Sequence, residues 1–426
     1  MLKQIIAPSA MLINFLLSLC LSLSKPQSQH LERVMEGLIV GEGRKTLSAL
    51  YRQWVDAPDV SAVADFFRAS PWSAIELNQA RQRLAMEDLF ARVKTSGAKP
   101  IAWVSFDDSL VVKDKDTTAL EGVDWMHDHV RGGGYRKGSV QVNGRIQIGT
   151  FSYPFGFRLY LREKTVRRLN RSRSGAERLK FKSKYQLVKE LIAELKPHIP
   201  EDYTVYVMFD RWYASAKLLK YIRKQGKRWH VLCAVKSNRC LDGISLTQWN
   251  AQLKHTHTTA VSLRGTDGTL QTYQVRTVRG YLNQVPFEVC VLISRRHYRD
   301  KFPKYFLCSD LSLSPQTILN WYQKRWPLEV DYWYLKQKLG LADFRLHDYE
   351  AIHKWYSVVW LTLTFLYWRL YQSLDDEVPF RSLAEVIQQH RAEHAQAVLT
   401  AACEQAIETG DINVGLNRFL TLSQVA

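Results

Sequence analysis

Among the six cysteines, Cys20, Cys233, Cys240, Cys290, Cys308 and Cys403, there is no Cys-x2-Cys pair, and none stands with histidines at zinc-ligand spacing. The pattern gives no structural zinc module, so the cysteines read as reduced core residues of a cytosolic chain. Acids are scarce too: 41 Asp and Glu face 59 Lys and Arg, a formal net charge of +18. That imbalance points to a polyanionic partner, with nucleic acid ahead of an anionic membrane. Long apolar runs are missing. Residues 11–23 (MLINFLLSLCLSL) follow a single Lys3 and lack a small-residue cleavage site, which favours a buried helix over a signal peptide. Residues 356–367 (YSVVWLTLTFLY) fall short of the roughly 20 residues a bilayer needs and read as a core helix. There are no internal repeats and no low-complexity segments.

What is present is 426 residues with 46% apolar content, enough to bury one sizeable core and room for a second. Residues 1–98 show helical spacing of apolar residues and few strand signals. Ser70 is expected to cap a helix whose first residue is Pro71. A helix-turn-helix over 44–66 and a plain helical bundle both fit that region. The character changes at Lys99-Pro100. Ile101–Phe106 reads as a strand ending in Asp107-Asp108-Ser109, and strand-like runs follow at 138–147 and 150–161. A basic stretch over 162–184 has only Glu163 and Glu177 as acids; it leads into a helix over 185–195 and a strand over 203–209 that ends in Asp210. Acids at strand ends project from a rigid edge, so two strands can converge theirs on one site.

Further on, Tyr322, Arg325, Glu329 and Lys336 form a Y-x2-R-x3-E-x6-K pattern. At about 100° per residue, these offsets put all four side chains within roughly 60° of one another on a helix. A carboxylate can hold a divalent metal, Arg and Lys can grip phosphates, and Tyr can hydrogen-bond a phosphate oxygen. The plain alternative is a solvated helix with one Arg325–Glu329 pair. Pro327 lies inside this segment and should kink or restart the helix. His127-Asp128-His129 has no third ligand in view and reads as structural or surface; Arg131-Gly132-Gly133-Gly134 reads as a flexible turn.

Together, Phe106-Asp107-Asp108-Ser109, Phe209-Asp210-Arg211-Trp212-Tyr213, the Y-R-E-K residues and Leu339-Gly340-Leu341 resemble the DDE transposases of bacterial insertion sequences, in the group with a β-rich insertion before the last Glu. The likeness spans residues 102–341. It implies an α/β chain: a ribonuclease-H-like catalytic core over 99–225 and 312–345, a β-rich insertion over 226–311, a helical DNA-binding region over 1–98 and a helical C-terminal region over 346–426. It implies Asp107, Asp210 and Glu329 as catalytic metal ligands for Mg²⁺, with Mn²⁺ as a substitute, and Tyr322, Arg325 and Lys336 as DNA contacts. The adjacent acids depart from the family's usual Asp followed by Gly-Thr or Thr. With Ser109 in the Thr place, Asp107 is the ligand and Asp108 stands beside it; the reverse stays open. The expected partners are double-stranded DNA, as transposon ends and target, and a second copy of the chain in a paired-end complex, with no membrane. The expected location is the bacterial cytoplasm, at the nucleoid. Similar transposases stack an aromatic residue on a flipped base, for which Trp229 or Trp249 is a candidate, each also readable as a core residue. The rival functions are a Mg-dependent nuclease without strand transfer and an inactive DNA-binding relative.

Overall fold

The computed structural model describes residues 5–55, 59–128, 133–265, 268–297, 300 and 302–414. His129, Arg131 and Gly132 lie outside them. Five helices open the chain, α1 (Ala10–Ser18), α2 (Lys25–Val40), α3 (Leu47–Tyr51), α4 (Val60–Arg68) and α5 (Ala74–Ser96), each preceded by a Ser, Thr or Asp in the capping position. The last of these starts at Ala74, not at Pro71. Ser73 Oγ accepts the Glu76 N–H at 3.2 Å, whereas Ser70 Oγ is taken by Gln27 Nε2 at 2.8 Å. A distant partner thus removed the expected cap.

Next come β1 (Ile101–Val112), β2 (Asp124–Asp128), β3 (Gly134–Ile148), β4 (Phe151–Tyr160), α6 (Glu163–Leu169), α7 (Lys184–Leu195), β5 (Thr204–Phe209), α8 (Ala216–Arg223) and β6 (Trp229–Val235). β7 (Cys240–Leu241), β8 (Ile244–Ser245) and α9 (Leu246–Gln252) lead to a meander of β9 (Thr259–Arg264), β10 (Leu270–Tyr281), β11 (Glu288–Arg295) and β12 (Lys304–Cys308). The chain then forms α10 (Pro315–Gln323), α11 (Pro327–Trp333), a π-helical turn over Tyr334–Lys338, α12 (Tyr349–Gln372) and α13 (Leu383–Thr409).

The result is a mixed α/β fold with one ten-stranded mixed sheet and a helical C-terminal region. β3 runs antiparallel to β1 and β4, and β5 and β6 run parallel to β1. β12, β11, β10 and β9 continue the same sheet outward from β6, all antiparallel. Trp229–Val235, read from sequence as part of the insertion, is therefore the last parallel strand beside β5, and the β-rich block grows from the core sheet's edge.

α12 runs through the middle of the helical layer, and every residue from Trp355 to Tyr367 is buried. A helix apolar all round needs neighbours on all sides, and α12 has α2, α4, α5, α13 and β4 around it. Its polar residues turn inward on the helix: Ser357, Thr362 and Thr364 donate to the carbonyls of His353, Val358 and Trp360. No helix among the described residues is long and apolar enough to cross a membrane. Fully buried Arg81 ties α5 to β4, donating to the carbonyls of Pro154 and Phe155, both at 2.9 Å. Those carbonyls sit at the register shift opposite Gly144/Arg145, where the strand ladder is interrupted and acceptors need another partner. Of the cysteines, Cys233, Cys290 and Cys308 are buried, but Cys20 and Cys403 are exposed and Cys240 is half-buried. The expectation of a core role thus holds for half of them.

Candidate active site

Asp107 lies within β1, not at its end, because pairing with β3 carries that strand on to Val112. On the other side, β5 pairs from Ile101↔Thr204 to Ser105↔Met208. Extending that register by two residues sets Asp107 beside Asp210, the residue where β5 has just stopped. Asp210 turns the chain, its Oδ1 accepting the Trp212 N–H at 2.8 Å, and this holds the carboxyl at the strand mouth.

Glu329 stands in the first turn of α11, which Pro327 opens. The single helix expected from Tyr322 to Lys336 is divided. α10 ends at Gln323, Arg325 lies in the turn, α11 restarts at Pro327, and Lys336 sits in the π-helical turn. Asp331 fastens this assembly to the sheet. Its Oδ2 is 2.5 Å from Arg145 Nη1 on β3, and its Oδ1 accepts the Tyr367 hydroxyl at 2.8 Å.

Asp107, Asp108, Asp210, Arg325, Glu329 and Lys336 all line one cavity of about 700 Å³. Arg325 Nη1 bridges two of its acids, 2.5 Å from Asp107 Oδ2 and 3.3 Å from Glu329 Oε1. Asp108 is occupied otherwise: Lys184 Nζ donates to one oxygen at 2.6 Å and the Tyr213 hydroxyl to the other at 2.7 Å. Burial pushes the Asp107 carboxyl up to about 7; Arg325 opposes the rise, while Asp210 and Asp108 add to it. Burial raises Asp210 as well, with Asp108 adding to the shift against the Trp212 N–H. Burial lowers the Lys336 ammonium, partly offset by Glu329 and Asp128. Acids gathered in one partly buried cavity resist ionising together, a condition that a bound cation relieves.

Tyr322 does not line this cavity. It lines two adjoining ones together with Arg325 and packs on the Phe306 ring at 4.9 Å. The break before Pro327 explains why it departs from the other three. Trp229 is buried in β6, whereas Trp249 is half-buried with its Nε1–H donating to the Leu241 carbonyl at 3.0 Å. Sequence reasoning quoted Tyr213 within a motif and Lys184 at the end of the basic stretch without giving either a role beside Asp108, and it missed Asp331 and Arg145. Lys184 closes the basic stretch, which was a signal of a kind; nothing in the sequence pairs Asp331 with Arg145, 186 positions away.

Two sets of side chains have donors suited to a metal. Asp107, Asp210 and Glu329, three of the five acids lining the cavity, offer carboxylate oxygens, which suit hard divalent cations. The second set is Glu36, His390 and His394, all buried, which links α2 to α13. Its hydrogen-bond polarity is that of a closed network. Arg369 Nη1 lies 2.5 Å from His390 Nδ1 and can only donate, so Nδ1 accepts and Nε2 carries the hydrogen. That Nε2–H faces Glu36 Oε2 at 2.5 Å, His394 Nε2 faces the same oxygen at 3.0 Å, and the Ser9 N–H donates to Oε1. A metal on His390 Nε2 would leave a protonated Nδ1 against the Arg369 donor, the reverse of the usual support for a ligand histidine. The second set therefore reads as a buried carboxylate satisfied by protein donors.

A family model described as DDE superfamily endonuclease matches residues 18–242, more than half of the chain, and one described as transposase DDE domain matches residues 182–365. No curated protein matches the chain. Among solved structures, a cryo-EM structure of the piggyBac transposase synaptic complex with hairpin DNA is similar at 12% identity and a TM-score of 0.46, covering 87% of this chain and 71% of that one. Enzymes of the DDE superfamily use divalent metals. The first family match includes Asp107 and Asp210 and the second includes Asp210 and Glu329, so between them they span the acid cavity. On that coverage the chain belongs to the DDE superfamily of endonucleases and is a DDE-type transposase.

Proposed function

We propose that this transposase acts on the ends of its own mobile element. It binds inverted terminal repeats in double-stranded DNA, hydrolyses a strand at each end to expose a 3′-hydroxyl, and joins that end to target DNA. The observation that supports this most is the convergence of Asp107, Asp210 and Glu329 on one cavity with Arg325 and Lys336 at its wall. Asp107, Asp210 and Glu329 would hold Mg²⁺, with Mn²⁺ as a substitute. When bound, two such ions activate the attacking water or 3′-hydroxyl and stabilise the leaving oxygen.

The remaining tasks fall to side chains. Lys184 and Tyr213 engage both oxygens of Asp108, while Arg325 and the Asp108 N–H engage those of Asp107; with Ser109 in the Thr place, Asp107 is the ligand of the adjacent pair. Arg325 and Lys336 hold phosphates of the strand laid across the cavity, and Tyr322 does so from the adjoining one. Asp331, pinned by Arg145, holds α11 so that Glu329 keeps its place. On this reading β4-β3-β1-β5-β6 is a ribonuclease-H-like core, the β-rich block after β6 is an insertion into it, and the helices of residues 1–98 contribute to end binding. The basic stretch over 162–184 supplies further phosphate contacts. The element is a bacterial insertion sequence, and two copies of the chain act on paired ends at the nucleoid.

The test uses a plasmid carrying the gene within its native flanking DNA. Asp210→Asn or Glu329→Gln should abolish Mg²⁺-dependent cutting at the element's ends while gel shifts on the same DNA persist. Normal cutting by either variant removes the assignment. Joined products formed with added target DNA distinguish transposition from nuclease activity alone. End binding should weaken with salt, with a log–log slope of several units in magnitude from counterion release.

A further inference from the structure

We propose that Arg325 is the resident cation of the acid cluster, bridging Asp107 and Glu329 until a DNA phosphate draws it away, so that divalent metal and DNA bind cooperatively. The inference rests on Asp107, Asp210 and Glu329 being the metal-holding acids.

Its basis is the placement of one nitrogen. Arg325 Nη1 contacts carboxylates from two separate elements, Asp107 on β1 at 2.5 Å and Glu329 on α11 at 3.3 Å. A carboxylate oxygen that accepts a charge-assisted hydrogen bond from a guanidinium is not free to coordinate a cation in that direction. Arg325 and a divalent ion therefore compete for the same oxygens. The guanidinium cannot yield by losing a proton, since it stays charged at any working pH. It has to move.

The structure offers it somewhere to go. Besides the acid cavity, Arg325 lines a cavity of about 730 Å³ that also contains Arg211 and Lys304, and another of about 810 Å³ that contains Arg264 and Lys324. These are cation-lined spaces on either side of Tyr322, and a nucleic-acid backbone passing through either one would meet several positive groups. A phosphate offers the guanidinium two acceptors in the geometry its fork prefers. Rotation of the long Arg325 side chain, without movement of β1 or α11, exchanges one anionic partner for the other.

Lys336 provides the internal comparison. It lines the same acid cavity and has Glu329 and Asp128 acting on its charge, but unlike Arg325 it makes no bond to Asp107. If net charge alone governed metal affinity, Lys336 and Arg325 would matter alike; if the bridge governs it, only Arg325 does. The coupling is reciprocal: whatever takes Arg325 from the acids raises metal affinity, and metal raises DNA affinity by the same factor.

The experiment is calorimetric titration of Mn²⁺ into the full-length protein, with and without a mixed-sequence DNA duplex. Without DNA, Arg325→Gln should bind Mn²⁺ about tenfold more tightly than wild type, the worth of a charge-assisted bond. Lys336→Gln should change the affinity by less than about threefold, as expected for a charge that does not occupy the Asp107 oxygens. The duplex should tighten Mn²⁺ binding to wild type and leave Arg325→Gln unchanged. Equal tightening in the two variants, or none in Arg325→Gln, overturns the proposal, and so does a duplex that leaves the wild-type affinity as it was. A double variant Asp210→Asn, Glu329→Gln is the separate control. If it binds Mn²⁺ as wild type does, the acid assignment falls, whereas its loss of binding beside an unchanged Arg325→Gln removes only the bridge. Melting curves of all variants confirm that each is folded.

Discussion

Glu329 and Asp331 stand two residues apart on α11 and have opposite surroundings. Asp331 is fully buried, and each of its oxygens has a donor, one from Arg145 and one from Tyr367. Glu329 keeps 38% of its side chain exposed and meets Arg325 at 3.3 Å, a donor that Asp107 holds more closely. A fully buried carboxylate with each oxygen held by a protein donor is a structural pin, because removing a donor leaves an uncompensated buried charge. A carboxylate with free lone pairs toward a cavity, beside acids that raise one another, is available to an incoming cation. The same contrast separates the Glu36–His390–His394 network from the acid cavity. Residue type is shared between the two places; satisfaction of the oxygens is what differs.

Four measurements would break or sharpen this contrast. The largest effect is expected from Arg145→Met, which strands Asp331 inside the protein and should cost about 3–5 kcal/mol in urea unfolding. Adding Asp331→Leu should recover much of that loss, since an apolar replacement of the whole pair is close to neutral. Next is Glu36→Gln, which weakens a buried acceptor shared by two histidines and should cost about 1–3 kcal/mol. Chelator should leave the wild-type melting temperature unchanged; a fall would turn this network into a metal centre and erase the contrast.

A smaller effect is expected at Lys45. Its Nζ is buried against the Leu38 carbonyl at 2.6 Å and the Gly41 carbonyl, and burial lowers its pKa to about 7. Below that pH the ammonium is charged in both states, and folding bears the full cost of burying it. Between about 7 and the unfolded value of roughly 10.4, the unfolded chain binds more protons, so stability rises with pH. Lys45→Met should flatten that rise in melting experiments run from pH 7 to 10. The smallest effect on stability should come from Glu329→Gln. Losing a part-exposed pair costs under about 1 kcal/mol, although cutting should vanish, and a large destabilisation would make Glu329 a pin like its neighbour.

Much of the site was legible because its clues are local. Pro327 announced the break in the Y-R-E-K segment, and the strand before Asp210 declared itself by a continuous apolar run. Likewise the run over 356–367 was short enough to be read as a core helix, and it forms the centre of α12. Where the expectations missed, a long-range partner intervened. β1 continues past Asp107 because β3 supplies a ladder out to Val112, and no window of sequence around Asp107 contains β3. Gln27 took Ser70 from its expected capping role across 43 positions. Trp229–Val235 joined the parallel strands because β5 was there to pair with it.

By itself, then, the sequence determined where acids and cations stand along the chain, and hence that they were on hand for phosphodiester chemistry. Local propensity, proline and apolar period act over a few residues and can be read there. Only the tertiary structure decided that Asp107 meets Arg325 while Asp108 meets Lys184 and Tyr213, that Tyr322 leaves the acid cavity, and that Asp331 becomes a pin two residues from Glu329. Those outcomes depend on which donor reaches which oxygen across the sheet, a matter of register and burial that arises only when distant segments come together.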